Sequence, residues 1–231
     1  RFYFIMVVMK VYPKPIFHTV PGYEIVMEFL DSSVQLHGFI AVHNTKRGPA
    51  LGGTRIWKYD NREQALTDVL RLAKGMTFKA AGADLSLGGG KAVLIGDAKS
   101  IKSPAYFETY GHYVHLLKGQ YITAEDVNTT SADMMHIAKV TPHVVGRIGK
   151  SGNPSPFTAL GVFYGIQASV AFALPKKKLQ DLSFAIQGVG QTGSYLIELL
   201  VAAGVTNITI ADINPTNLDI IKKKYPQLKV V

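Results

Sequence analysis

Asp181-Leu182-Ser183-Phe184-Ala185-Ile186-Gln187-Gly188-Val189-Gly190-Gln191-Thr192-Gly193 is the stretch that decides the fold. Its first half is a short apolar run suited to a buried parallel strand, and it leads into a G-x-G-x-x-G. Behind the glycines, residues 194–203 set Leu196, Leu199, Leu200 and Ala203 at helical spacing, and Gly204 stops that helix. Asn207-Ile208-Thr209-Ile210-Ala211 reads as a second strand ending at Asp212, 19 residues after Gly193. Strand, glycines, helix, strand and acid in this order predict a dinucleotide-binding βαβ unit. Gly188, Val189, Gly190, Gln191, Thr192 and Gly193 would form the tight turn that lets a pyrophosphate approach the free N–H groups of a helix start. A carboxylate at Asp212 suits the ribose hydroxyls and repels a 2′-phosphate, so NAD is expected rather than NADP.

Further upstream, Gly75-Met76-Thr77-Phe78-Lys79 and Leu87-Gly88-Gly89-Gly90-Lys91 set two lysines in glycine-rich, apolar surroundings without an adjacent carboxylate. A lysine crowded by another cation and short of water loses part of its preference for the proton. Such an amine serves as a general base or as an anchor for a carboxylate. The plainer alternative is two exposed lysines around a glycine-rich turn. The dinucleotide motif downstream favours chemistry.

Composition excludes several function classes. Hydrophobic residues make up 47% and charged residues 18%, enough apolar material for true cores. Cysteine is absent, which excludes disulfides and thiolate metal sites and fits a cytoplasmic protein. His112 and His115 lie three apart on one predicted helix without an obvious third ligand, so no metal is expected. The net charge of +9 raises nucleic acid as a partner. Its two basic triplets, Lys176-Lys177-Lys178 and Lys222-Lys223-Lys224, have no interleaved aromatics to stack bases, and solvated surface is the better reading. The opening run Phe2-Tyr3-Phe4-Ile5-Met6-Val7-Val8-Met9 is too short to span a membrane, so it reads as a strand or an extension.

The order of patterns predicts an α/β chain of two domains: 1–150, an α/β substrate-binding and oligomerisation domain, and 151–231, the first half of a Rossmann-type doubly wound domain. In the first, strand-like runs at 24–30 and 36–42 flank Asp31-Ser32-Ser33 as a hairpin. Gly48-Pro49-Ala50-Leu51-Gly52-Gly53-Thr54-Arg55 reads as a loop or bulged strand. Asp60 and Glu63 suggest a capping box opening a helix with Leu66, Val69, Leu70, Ala73 and Met76 on one face, and Lys79 just beyond its end. Lys91-Ala92-Val93-Leu94-Ile95 is a strand, 103–117 a helix, and Tyr121-Ile122-Thr123 a short strand leading to Ala124-Glu125-Asp126. A helix follows at 129–138, capped near Thr130 or Ser131. Residues 149–156, rich in Gly, Ser, Asn and Pro, mark the hinge, and 158–174 a connecting helix.

Taken together, these segments resemble the Glu/Leu/Phe/Val amino-acid dehydrogenase family, nearest to its leucine-specific branch. The likeness is carried by the Gly48–Arg55 segment, Leu72-Ala73-Lys74-Gly75-Met76-Thr77-Phe78-Lys79, Leu87-Gly88-Gly89-Gly90-Lys91, Tyr121-Ile122-Thr123-Ala124-Glu125-Asp126-Val127, Ser151-Gly152-Asn153-Pro154-Ser155-Pro156 and the dinucleotide loop. It runs from about residue 24 onward. The resemblance implies that Lys79 holds the substrate carboxylate. Lys91 would activate the water that attacks the imino carbon, and Asp126 would exchange a proton with the amino group. The Gly52-Gly53 backbone would close over the amino acid. Leu51, Ala124 and Met76 would line the side-chain pocket, and Thr158 would join the cofactor contacts. For Asp126 by itself, a helix or loop cap is the competing role, equally open to Thr129 and Thr130.

The implied reaction converts an L-amino acid, NAD+ and water reversibly into a 2-oxo acid, ammonium and NADH. A branched-chain amino acid is the expected substrate, with phenylalanine, valine or tryptophan as alternatives, and a non-catalytic remnant as the contrasting class. The family also implies a homo-oligomer whose partners are small molecules rather than nucleic acid or membrane. Members of the family continue well past the position of Val231, so the chain reads as a fragment or the product of an interrupted gene.

Overall fold

The computed structural model describes residues 11–150 and 152–231; the opening apolar run and Ser151 lie outside them. The chain divides into two compact units between Asn153 and Pro154.

The first unit is a six-stranded sheet with helices on both faces. Its strands are β1 (Ile16–Phe17), β2 (Ile25–Asp31), β3 (Leu36–Asn44), β4 (Ala50–Trp57), β5 (Gly88–Ile95) and β6 (Tyr121–Glu125), and its helices α1 (Arg62–Gly82), α2 (Ala98–Ile101), α3 (Pro104–Leu116) and α4 (Ser131–Ala138). The spatial order is β1-β2-β3-β5-β4-β6, antiparallel up to β5 and parallel across β5-β4-β6. On one face Phe29, Ile40 and Leu94 pack against Tyr106, Tyr110 and Tyr113 of α3. On the other, Val26, Phe39, Ala41 and Val93 meet Ala65, Val69 and Ala73 of α1. Small residues on α1 let the helix lie close to the sheet.

Four local expectations are corrected. Asn61, not Asp60, caps α1: its extended backbone directs the side chain to accept from the Gln64 amide, a contact worth about 1 kcal/mol. Asp60 instead accepts from the Gln64 side chain. The helix meets no breaker at Phe78-Lys79-Ala80-Ala81 and runs to Gly82, so Lys79 sits within its last turn rather than beyond it. The triple glycine is neither turn nor loop but the start of β5, fully buried. A Cβ at Gly89 would overlap the Thr77 amide nitrogen, so only glycine lets α1 cross the strand there. The expected loop or bulge at 48–55 is mostly the regular strand β4.

The second unit holds α5 (Ser155–Ala173), β7 (Phe184–Gln187), α6 (Gln191–Ala202), β8 (Ile208–Ala211), α7 (Pro215–Lys224) and β9 (Lys229–Val230). Its three strands are all parallel, in the order β7-β8-β9. Ile197 and Leu200 of α6 pack on Ile208 and Ile210, and Ile221 of α7 and Leu228 close the core. Gly204 ends the α6 turn at φ +84°, a conformation that favours glycine. Helix α5 packs on α6 and places Phe163 in this core. By length and composition alone α5 is apolar enough to cross a membrane.

Candidate active site

Strand register decides which predicted residues share a surface. Leu51 pairs with Gly89 and with Ile122, Gly53 with Ala124, and Arg55 with Val93. Residues two apart on a strand point the same way, so Leu51, Gly53 and Arg55 of β4, Lys91 of β5 and Ala124 of β6 lie on the α1 side of the sheet. Helix α1 packs chiefly on β5 and β3. Leu51, Ile122, Ala124 and Asp126 are left half-buried on that side, while Lys91 is only 4% exposed. Gly52 faces the other way: its carbonyl accepts from the Tyr121 hydroxyl at 2.6 Å, beneath a buried hydroxyl cluster of Thr54, Tyr110 and Thr123.

Lys91 does have a carboxylate neighbour, brought by the fold from 35 residues downstream. Its Nζ stands 2.9 Å from Asp126 Oδ2. The same oxygen accepts from Arg55 Nε at 3.1 Å. Burial pushes the Lys91 pKa down; Asp126 opposes this and the Arg55 charge adds to it, and the result lies below the ordinary lysine value. The cation that acts on Lys91 is therefore Arg55, not the expected Lys79. Burial pushes the Asp126 carboxyl up, but Lys91, the Val127 amide and Arg55 together outweigh it and hold its pKa below the usual carboxylate value. Asp126 does not cap a helix. Thr130 caps α4 in a reciprocal box with Asp133, and Thr129 ties the turn by accepting from the Asp126 amide and donating to the Thr54 carbonyl.

Lys79 stands exposed on α1, three residues after the partly buried Met76, and forms no ion pair among the described residues. An exposed, unpaired cation is free to meet an anion from solution. Gly53 is needed for close approach: a Cβ there would come within 2.7 Å of Asp126 Cβ and 2.5 Å of the Glu125 carbonyl. A Cβ at Gly52 would overlap the Gly90 carbonyl. Sequence reasoning missed Arg55 as a site residue. The available signal was an arginine inside a predicted strand segment, a place where a cation needs a buried acid as partner.

The glycine-rich loop joins β7 to α6. Gly188 follows β7 at φ +92°, and added Cβ atoms at Gly188 and Gly190 would meet nothing within 4 Å. Gly193 differs, since a Cβ there would overlap the Gly188 carbonyl and open the turn. Helix α6 begins at Gln191 after Gly190 without a side-chain cap, the kind of helix start at which an anion binds. Asp212 lies at the end of β8, where its Oδ2 accepts from the Val189 amide at 2.7 Å and its Oδ1 from the Asn214 amide at 2.7 Å. These hydrogen bonds hold its pKa below the usual carboxylate value. Open space at Gly188 and Gly190, a helix start without a side-chain cap and a fixed carboxylate fit the pyrophosphate and ribose of a dinucleotide. Thr158, exposed on α5, donates its hydroxyl to the Pro154 carbonyl of its own first turn. Among the described residues no group of three His, Cys, Asp or Glu side chains is placed to hold a metal.

Residues 24–143, just over half of the chain, match the family described as Glu/Leu/Phe/Val dehydrogenase, dimerisation domain. The chain belongs to the Glu/Leu/Phe/Val dehydrogenase family. The leucine dehydrogenase of Geobacillus stearothermophilus is 47% identical over 195 residues, 83% of this chain and 53% of that protein. The phenylalanine dehydrogenase of Lysinibacillus sphaericus is 40% identical over 222 residues, 95% of this chain and 58% of that protein. Among solved structures, the L-tryptophan dehydrogenase of Nostoc punctiforme aligns with a TM-score of 0.63 at 38% identity, covering 91% of this chain and 59% of the other. The chain thus spans a little over half the length of these family members.

Proposed function

We propose that the protein performs the NAD-dependent oxidative deamination of a branched-chain L-amino acid, reversibly, to its 2-oxo acid and ammonium. The observation that carries this reading is the pairing of a buried amine with a carboxylate, Lys91 to Asp126 at 2.9 Å, on a sheet face lined by Leu51, Gly53 and Ala124. An amine whose proton affinity is lowered by burial can take a proton from water at working pH. Lys91 in this role activates the water that attacks the imino carbon and stabilises the charge that forms. Asp126, kept ionised by two cations, exchanges a proton with the substrate nitrogen. Lys79, exposed and unpaired, binds the substrate carboxylate. Leu51, Ala124 and Met76 offer an apolar wall for the side chain, and the Gly52-Gly53 backbone leaves room for the substrate.

Gly188 to Gly193 and Asp212 would hold NAD, which when bound supplies the hydride acceptor. The carboxylate at Asp212 favours free ribose hydroxyls over a phosphate. The leucine-branch relative supports a branched-chain substrate. The phenylalanine dehydrogenase, matched over more of the chain, keeps an aromatic substrate as a second reading. We further propose a homo-oligomer, consistent with the dimerisation domain named for the family, and a cytoplasmic protein, consistent with the lack of cysteine.

NADH appearance with a panel of L-amino acids, run on this chain and on the longest product of its gene, tests the proposal. Leucine, isoleucine and valine should lead. Preference for phenylalanine or tryptophan would move the assignment to the aromatic branch, and a flat panel with the longest product would remove the enzymatic reading.

A further inference from the structure

Arg55 brings a permanent charge to the site. Its Nε donates to Asp126 Oδ2, the oxygen already engaged by Lys91, and its Nη1 reaches Asp68 Oδ2 of α1 at 3.0 Å. Asp68 is in turn fixed by the Tyr59 hydroxyl at 2.7 Å and by Arg71 at 3.0 Å. The Arg55 side chain is 23% exposed and that of Asp68 14%, so the guanidinium is held from both ends in a mostly dry setting. A buried lysine and aspartate left to themselves resist any change of state: neutralising the amine strands an unpaired carboxylate, which is costly. A guanidinium on the same oxygen removes that obstacle, because it stays charged at every working pH.

We propose that Arg55 is a positioning residue for the reaction, the fixed counter-ion that keeps Asp126 ionised and in place while Lys91 gains and loses its proton. The surroundings of Lys91 leave this role to Arg55. From β6 comes Asp126, and from β4 comes Arg55. From α1 comes Asp68, with Tyr59 and Arg71 bound to it; Lys74 and Lys79 of α1 are exposed. On β3, the strand on its other side, Lys91 is paired with Ala41. Loss of the Arg55 charge acts on Lys91 twice in one direction: a repelling cation disappears, and Asp126 is left to Lys91 alone. Both changes strengthen the hold of Lys91 on its proton.

The inference rests on the assignment of Lys91 as the base, so the test reads the amine directly. The chain is labelled with ¹³C at the lysine ε carbons, and the Lys91 resonance is assigned with Lys91→Arg. Its titration midpoint is then followed in wild type, Arg55→Gln and Arg55→Lys. In Arg55→Gln the midpoint should rise by about one pH unit, and in Arg55→Lys it should stay near the wild-type value. An unchanged or lowered midpoint in a folded Arg55→Gln overturns the proposal. Should that variant fail to fold by circular dichroism, Arg55→Lys decides: a midpoint near wild type supports the counter-ion role, and a rise of about one pH unit overturns it. The kcat/KM profile of the longest gene product adds a second reading. Its rising limb should move to higher pH in Arg55→Gln, which a merely structural role would not produce. A flat amino-acid panel together with the expected midpoint shift would sink the deamination reading while upholding the counter-ion.

Discussion

Glycine clusters twice in this chain, and the two clusters have different neighbours. At Gly89 in β5 an added Cβ would overlap the Thr77 amide nitrogen and lie 2.6 Å from the Ala73 carbonyl. At Gly90 it would come within 2.7 Å of the Tyr121 ring. At Gly188 and Gly190 it would meet no atom within 4 Å. The first cluster is glycine because the protein's own helix and strands leave no room for more. Space is open at the second, where Gly188 meets a backbone need at φ +92°. The first run sets Lys91 deep in the sheet; the second leads into a helix start without a side-chain cap. Packing claims the first cluster and, in the second, Gly193 alone; Gly188 and Gly190 leave room for a ligand.

The sharpest break in that comparison comes from the residue the packed run positions. Lys91→Ala should lower kcat/KM by about a thousandfold while NADH affinity stays close to wild type, because the amine belongs to the first unit and the dinucleotide loop to the second. Steady-state kinetics and a fluorescence titration with NADH measure the two separately. Substantial residual turnover would remove Lys91 as the base.

Next in size is the packed run itself. Gly89→Ala should destabilise the first unit by about 3 kcal/mol, since the clash is with backbone that cannot swing aside. Urea unfolding followed by circular dichroism reads the loss. A variant as stable as wild type would mean that α1 shifts along β5 at little cost, and the packing account of the run would fail.

The difference between the two clusters also explains what was legible in the sequence. The dinucleotide loop is contiguous: strand, turn, helix start and the acid at Asp212 all lie in one stretch, so spacing alone assembled it. Lys91, Asp126 and Arg55 are brought together only by the strand order β5-β4-β6, with β4 coming before β5 in sequence yet lying between β5 and β6 in space. Nothing local to Lys91 announces Asp126, and the sign of the Lys91 shift depends on burial that only packing supplies. The family resemblance did name Lys91 and Asp126, but not the arginine between them and α1. The cap of α1 was missed by one residue because Asp60 and Asn61 are both good caps, and backbone conformation chooses between them.

On the open side, Asp212 tests which chemistry the cradle accepts. Asp212→Ser removes the repulsion toward a 2′-phosphate and weakens the grip on ribose hydroxyls. The ratio of kcat/KM for NAD over NADP should narrow by about tenfold, a change typical of losing one charged hydrogen bond. The loop also loses the carboxylate that accepts from the Val189 amide, so the melting temperature of wild type and variant should be measured alongside. A wild type that prefers NADP, or a ratio unmoved by the substitution, would reduce Asp212 to a strand end.

The smallest expected effect on the fold is the one that matters most for the comparison. Gly190 has a φ of −66°, open to any residue, and free space where its Cβ would be. Gly190→Ala should therefore leave unfolding free energy within about 0.5 kcal/mol of wild type, in contrast to Gly89→Ala. NAD binding should suffer all the same, because the methyl group would stand where the pyrophosphate approaches, and a loss of about tenfold in affinity is expected. Isothermal titration with NAD and urea unfolding on the same preparation separate the two effects. If stability falls and binding does not, the second cluster is glycine for packing after all, and the distinction between the two clusters disappears.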